Sequence, residues 1–162
     1  MAVVVETGTG LNPLANSYVS ESELTAYATA RGKVIASATP SALLISAMDD
    51  LETRNYKGAR VSVSQPLSWP RDGVYVDGVY IEPDTIPLRI KNAQCEAALL
   101  IDSGVDLGAA TSGGIKRERV EGAIEVEYAT SKTTPIYRGM ENQLRPLIAG
   151  GCAGSVNFAV TR

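Results

Sequence analysis

Histidine is absent from this sequence of 162 residues, and cysteine, tryptophan and phenylalanine are scarce, with two, one and one copies. The lack of histidine removes the commonest general base, the usual partner of a catalytic serine and the commonest metal ligand. The cysteines, Cys95 and Cys152, are far apart in the chain and form no CxxC motif, which disfavours both a metal site and a disulfide. The composition therefore predicts a protein that is not an enzyme and has no catalytic residues, metal ion or cofactor.

Long apolar runs and an excess of basic charge are also missing. No apolar run approaches the length of a membrane span, and the first ten residues lack the basic region of a signal peptide, so we expect no membrane partner and synthesis in a cytoplasm. Fifteen basic and eighteen acidic residues give a net charge of −3. Because non-specific nucleic-acid binding depends on Lys and Arg neutralising phosphates, this charge disfavours that function.

What the sequence does contain is typical of one globular domain, with 44% hydrophobic and 20% charged residues. Three segments carry helix signals. Ser20 and Glu23 have the spacing of a capping box and predict the start of a first helix. Residues 39–40, Thr-Pro, predict the start of a second, and a third is predicted from Pro87 to Gly104.

Strand signals occur in two other places. Residues 74–76 and 79–81 are β-prone triplets on either side of Asp-Gly at 77–78, the pair that favours a type I′ hairpin turn. The hairpin lies in a connector over residues 68–85. Apolar and acidic residues alternate within 115–130, which predicts one bent strand or a second hairpin.

These elements predict a mainly α fold: a small helical bundle with a β-hairpin or strand segment in the last third and extended terminal arms. We expect a single domain over residues 1–162. Residues 1–19 form an N-terminal arm, and residues 20–112 form a helical core that includes the connector hairpin. Residues 113–162 hold the β segment, a short helix from Arg138 to Ile148 and a C-terminal arm.

The candidate functional residues are contact residues. A lone tryptophan is more often a core residue than a stacking platform, so we expect Trp69 to be buried and Arg71 to cap a helix end or pair with a carboxylate. A basic run followed by acidic residues on one strand system suits pairing with a neighbouring subunit. The interface candidates are Trp69, Arg71, Lys116, Arg117, Arg119, Glu121, Glu125, Glu127 and Phe158.

The order of several short motifs along the chain resembles a known family. The motifs are Gly8-Thr9-Gly10, Ala15-Asn16-Ser17-Tyr18, Leu67-Ser68-Trp69-Pro70-Arg71, and Ile86-Pro87 before an alanine-rich helix. Together they resemble the head–tail connector (neck, adaptor) proteins of tailed phages, some of which are labelled DnaT-like single-stranded-DNA-binding proteins. The resemblance extends over nearly the whole chain.

The resemblance implies a structural virion protein that acts in viral genome packaging and is located in the neck between capsid and tail, after synthesis in the bacterial host cytoplasm. It implies a homo-oligomer, a dodecameric ring, that docks on the portal protein and contacts a tail or tail-completion protein. Double-stranded DNA would pass through its centre and touch it transiently. The alternative is a single-stranded-DNA-binding replication module. The acidic charge and the few aromatic residues favour the connector hypothesis.

Overall fold

The computed structural model describes residues 2–10, 12–108 and 137–150. The helices of this part are α1 (Glu21–Thr29), α2 (Pro40–Glu52), α3 (Leu88–Asp102) and α4 (Arg138–Leu144). Its strands are β1 (Ala59–Arg60), β2 (Arg71–Asp72), β3 (Val74–Val76) and β4 (Val79–Ile81). Strand β1 pairs with β2 and β3 pairs with β4, and both pairs are antiparallel.

The mainly α class predicted from the sequence needs correction, because two small antiparallel sheets accompany the four helices of the described residues. The fold is mixed α/β. The hairpin of β3 and β4 is confirmed at the predicted residues. The β1–β2 sheet was not predicted, because strands of two residues are too short to show an alternating pattern.

The predicted helix starts agree closely with the structure. In α1 the Ser20 hydroxyl accepts a hydrogen bond from the Glu23 amide at 3.2 Å, and the Glu23 carboxylate accepts one from the Ser20 amide at 2.8 Å. Both halves of the capping box are therefore present. Helix α2 begins at Pro40 as predicted, and α3 begins one residue after Pro87. Helix α4 is shorter than predicted and ends at Leu144.

The N-terminal segment is not an extended arm. Val5 forms a parallel bridge with Ser17, and the Glu6 amide donates to the Ser17 carbonyl at 2.8 Å. Tyr18 and Val19 are fully buried. The chain therefore folds back on itself before α1, because this segment carries apolar side chains that the helices can cover.

One hydrophobic core lies between the helices and the connector. Helix α3 is central to it and contacts α1, α2 and α4. Trp69 is fully buried in this core, as predicted, and its ring meets the ring of Tyr56 edge to face at 6.0 Å between centroids. The predicted strand segment 115–130 and the residues after Gly150 lie outside the described residues.

Candidate functional site

The outer face of the β3–β4 hairpin carries the candidate site. Tyr75 and Tyr80 lie directly opposite each other in the register, and their ring centroids are 5.3 Å apart with planes inclined by 49°. Tyr75 is 60% exposed. Because side chains alternate across a strand, Val74 points the other way and is buried against the core. The hairpin therefore anchors one face and presents two aromatic rings on the other.

The turn sequence explains why the two rings face each other. Asp77 and Gly78 both have positive φ, 52° and 81°, as the tight turn predicted from Asp-Gly requires. This two-residue turn fixes the register, which places the two tyrosines on the same face. A slip of one residue would place the two rings on opposite faces of the hairpin.

A hydrogen bond links the tyrosine pair to the neighbouring sheet. The Tyr80 hydroxyl donates to the Asp72 carboxylate at 2.6 Å, and the Gly73 amide donates to the same oxygen at 2.6 Å. The bond to Asp72 raises the pKa of Tyr80 to about 12, and the bond from Tyr80 lowers the pKa of Asp72. Because Asp72 belongs to β2, this contact holds the hairpin against the β1–β2 sheet.

Positive charges lie on that adjoining sheet. Arg60 of β1 is the register partner of Arg71 of β2. Arg60 is exposed, and its ion pair with Glu52 is long at 3.9 Å. Lys57, three residues earlier, is also exposed. Arg60 and Lys57 are thus exposed cations on and next to the β1–β2 sheet, to which the Tyr80–Asp72 hydrogen bond joins the hairpin.

Arg71, by contrast, binds backbone carbonyl groups. Its guanidinium donates to the backbone carbonyls of Lys57 at 2.7 Å and Gly58 at 2.7 Å, and more weakly to those of Ser68 and Tyr56. Burial, followed by the nearby charge of Arg60, lowers the pKa of Arg71. The prediction that Arg71 caps a helix or pairs with a carboxylate was wrong, because its fork closes the loop before β1 instead.

A buried polar network supports the surface from below. The Glu52 carboxylate accepts hydrogen bonds from the Tyr18 hydroxyl at 3.0 Å and from the Ser68 hydroxyl at 2.8 Å. The Tyr18 oxygen in turn accepts from the Trp69 amide at 3.0 Å. Burial, with the charge of Glu52, raises the pKa of Tyr18 well above its usual value, so the hydroxyl stays protonated. The long ion pair with Arg60 connects Glu52 only loosely to the β1–β2 sheet.

The residues predicted from the sequence are distributed differently. Trp69 lies in the core, so its ring offers no surface to a ligand, while Arg71 lies at the edge of the candidate site. The remaining interface candidates fall outside the described residues: Lys116, Arg117, Arg119, Glu121, Glu125, Glu127 and Phe158.

Sequence reasoning did not select Tyr75, Tyr80 and Arg60. The signal for the tyrosines was available, because they are placed symmetrically about Asp77-Gly78 and must share a face in a two-residue hairpin. No local signal marks Arg60, since its position opposite Arg71 depends on the β1–β2 pairing.

Within residues 2–10, 12–108 and 137–150, the structure contains no group of three or more Cys, Asp or Glu residues that is arranged to hold a metal ion. None of the helices in these ranges is long and apolar enough to cross a membrane.

The comparisons with known proteins overturn the main functional hypothesis. A family model described as "Putative DnaT-like ssDNA binding protein" matches residues 1–162. Neither a curated protein nor a solved structure matches the chain. The match gives no support to a virion connector, to a portal or tail partner, or to a ring, and it agrees with the alternative that the sequence left open. The chain belongs to the DnaT-like ssDNA-binding protein family.

Proposed function

We propose that this protein binds single-stranded DNA on the outer face of the β3–β4 hairpin, as a binding module without catalytic activity. Tyr75 and Tyr80 stack on bases, and Arg60 and Lys57 contact the phosphates. The observation that carries the proposal is the tyrosine pair, with Tyr75 exposed and Tyr80 half-buried, in a chain whose whole length matches a family described as ssDNA-binding.

The geometry suits single strands better than a duplex. Unpaired bases expose their faces, and stacking of one base on an aromatic ring contributes about 1–3 kcal/mol. The planes of the two rings are inclined by 49°, so they offer separate faces to two bases that are not stacked on each other. A duplex keeps its base faces covered and would meet only the two cations.

The site predicts weak binding with little preference for sequence. Each phosphate contact lowers the logarithm of the binding constant by about 0.7 per decade of salt for single strands. Two accessible cations give only a shallow salt dependence. Asp72 beside Tyr80 and the net charge of −3 oppose the approach of a polyanion. We therefore expect a Kd in the micromolar range near physiological salt.

Fluorescence anisotropy with a labelled oligothymidine of about 16 nucleotides, the upper end of common site sizes, tests the proposal. Tyr75→Leu keeps an apolar side chain but removes the aromatic face, so we expect affinity to fall by about 5- to 150-fold, the equivalent of one stacked base. Tyr75→Phe keeps the ring and serves as the matched control. It should bind like the wild type.

Charge is tested separately with Arg60→Gln, which should weaken binding and reduce the salt slope by about 0.7. Arg138→Gln is the matched control, because Arg138 is exposed at the start of α4, whereas Arg60 lies on the β1–β2 sheet. If Tyr75→Leu binds oligothymidine as tightly as Tyr75→Phe, or if both arginine variants lose affinity equally, the hairpin is not the binding surface.

A further inference from the structure

An open cleft of about 490 Å³ lies between the N-terminal segment, the start of α1, the loop before α3 and the first turn of α3. Glu6, Glu23, Asp84 and Lys91 bring charged groups to its wall. The DNA-binding proposal uses none of these residues.

Glu6 differs from the other charged residues that line this cleft because it is buried. Its side chain is 1% exposed. One carboxylate oxygen accepts hydrogen bonds from the amides of Gly8 at 2.9 Å and Gly10 at 3.1 Å. The other oxygen, Oε2, has no hydrogen-bond partner among the described residues. A buried carboxylate oxygen without a partner is costly, so a hydrogen-bond donor that reached Oε2 would remove that cost.

The backbone around Glu6 is shaped to hold this carboxylate in place. Gly8 and Gly10 both have positive φ, so the chain turns around the carboxylate. A Cβ on Gly8 would collide with the backbone carbonyl of Asp84, which shows how closely the N-terminal segment packs on the loop before α3. Glu6 therefore lies in a fixed position between two segments that meet at the cleft.

The charge balance of the wall is negative. Among the described residues of this wall Lys91 is the one cation, and its ammonium pairs with Glu23 at 3.4 Å. Neither Glu6 nor Asp84 forms an ion pair within the described residues. The carboxylates are not grouped to coordinate a metal ion within the described residues. The side chains of Val5 and Ile86 add apolar surface to the same wall.

We propose that this cleft binds an alkylammonium or alkylguanidinium group, with Glu6 as its buried anchor. Such a group supplies the positive charge and the N–H donors that Oε2 lacks, and charge-assisted hydrogen bonds of this kind are among the stronger ones. Its aliphatic stem lies against Val5 and Ile86, as lysine and arginine stems lie on apolar surface elsewhere. A free polyamine and a lysine or arginine of a protein segment share this chemistry.

Amide NMR of the full chain tests the proposal directly, because the Gly8 and Gly10 amides report on the Glu6 carboxylate. Titration with n-butylammonium chloride should shift both amides saturably. Tetramethylammonium chloride at equal ionic strength carries the same charge without an N–H donor and should not. Equal shifts with both salts would mean charge screening alone and would overturn the proposal.

Glu6→Gln is the matched variant, because glutamine has the same shape and keeps an oxygen for the two glycine amides. We expect it to melt like the wild type and to bind n-butylammonium about tenfold more weakly or worse, as loss of a charged hydrogen-bond partner implies. Lys91→Gln removes the resident ammonium and should bind more tightly. Unchanged affinity in Glu6→Gln contradicts the proposal. If that variant melts differently, the comparison of the two ammonium salts on wild-type protein still decides.

Two further measurements identify the source of the cation and separate this proposal from the previous one. Tighter binding of spermidine than of a short capped lysine peptide indicates a free amine, and the reverse order indicates a protein segment. Glu6→Gln should bind oligothymidine like the wild type. A failed amine titration would therefore leave the DNA-binding proposal intact, and a failed DNA titration would leave this one intact.

Discussion

Replacing Trp69 with alanine should remove a large part of the stability of this protein. The ring is fully buried and lies at 6.0 Å from the ring of Tyr56 in an edge-to-face contact. Truncation of a buried tryptophan to alanine costs about 3–5 kcal/mol, because the neighbours do not fill the cavity. A domain of this size has about 5–15 kcal/mol in total, so the loss is a substantial fraction of it.

The indole nitrogen moves the expected value towards the lower end of that range. Trp69 Nε1 is buried and has no hydrogen-bond partner among the described residues. An unsatisfied buried donor costs about 1–3 kcal/mol, and the substitution removes that cost. We therefore expect Trp69→Ala to lower the free energy of unfolding by about 3 kcal/mol. Trp69→Phe keeps an aromatic edge for Tyr56 and deletes the unsatisfied N–H, so its cost should be about 1 kcal/mol.

Urea denaturation followed by far-UV circular dichroism measures both values. Fluorescence is unsuitable because Trp69 is the one tryptophan of the chain. Val63→Ala is the control, since Val63 is fully exposed and should change stability by less than about 0.5 kcal/mol. A loss below about 1 kcal/mol in Trp69→Ala, or equal losses in the alanine and phenylalanine variants, would refute this account of the core.

Two other predictions concern the sheets. Gly58→Ala places a Cβ against the Asp72 carbonyl and a Val74 methyl at a positive φ of 72°, so it should cost more than about 2 kcal/mol in urea denaturation. Gly78→Ala is the control, because Gly78 has positive φ but open space around it, and it should cost about 1 kcal/mol. Equal losses of unfolding free energy in the two variants would contradict the close approach of the loop before β1 to β2. Tyr80 should ionise with a pKa of about 12 in an ultraviolet titration, and Asp72→Asn should lower that pKa. Because the folded-state pKa lies above the unfolded value near 10, the hydrogen bond contributes stability that is fully present below about pH 10. This stability is lost as the pH rises towards 12. An unshifted pKa in Asp72→Asn would show that this hydrogen bond does not form in solution.

The sequence alone determined the elements whose signals are local. The Ser20–Glu23 capping box, the proline at the start of α2 and the Asp77-Gly78 turn each depend on neighbours within a few residues. Such signals act through interactions with residues close in sequence, so they could be recognised without the tertiary structure, and their positions agree with it. Burial of Trp69 followed from its chemistry, because a lone large aromatic side chain favours the core.

The sequence alone did not identify the function correctly. The order of motifs pointed to two roles of one family, and the acidic charge and scarcity of aromatic residues favoured the wrong one. Composition counts residues over the whole chain, whereas a binding surface needs only a few side chains in one place. Two tyrosines opposite each other in a hairpin make an aromatic surface that the total count does not reveal.

Only the tertiary structure decided where distant residues meet. The pairing of β1 with β2 brings Arg60 opposite Arg71 and directs the Arg71 fork onto the carbonyls of Lys57 and Gly58. The folding back of the N-terminal segment buries Glu6 beside the loop before α3. Each of these contacts joins segments more than ten residues apart, and strands of two residues or a single glutamate carry no periodic signal. The positions of these residues follow from the packing of the core. Burial of the apolar side chains determines which parts of the chain stay at the surface, and charged side chains such as that of Arg60 lie there.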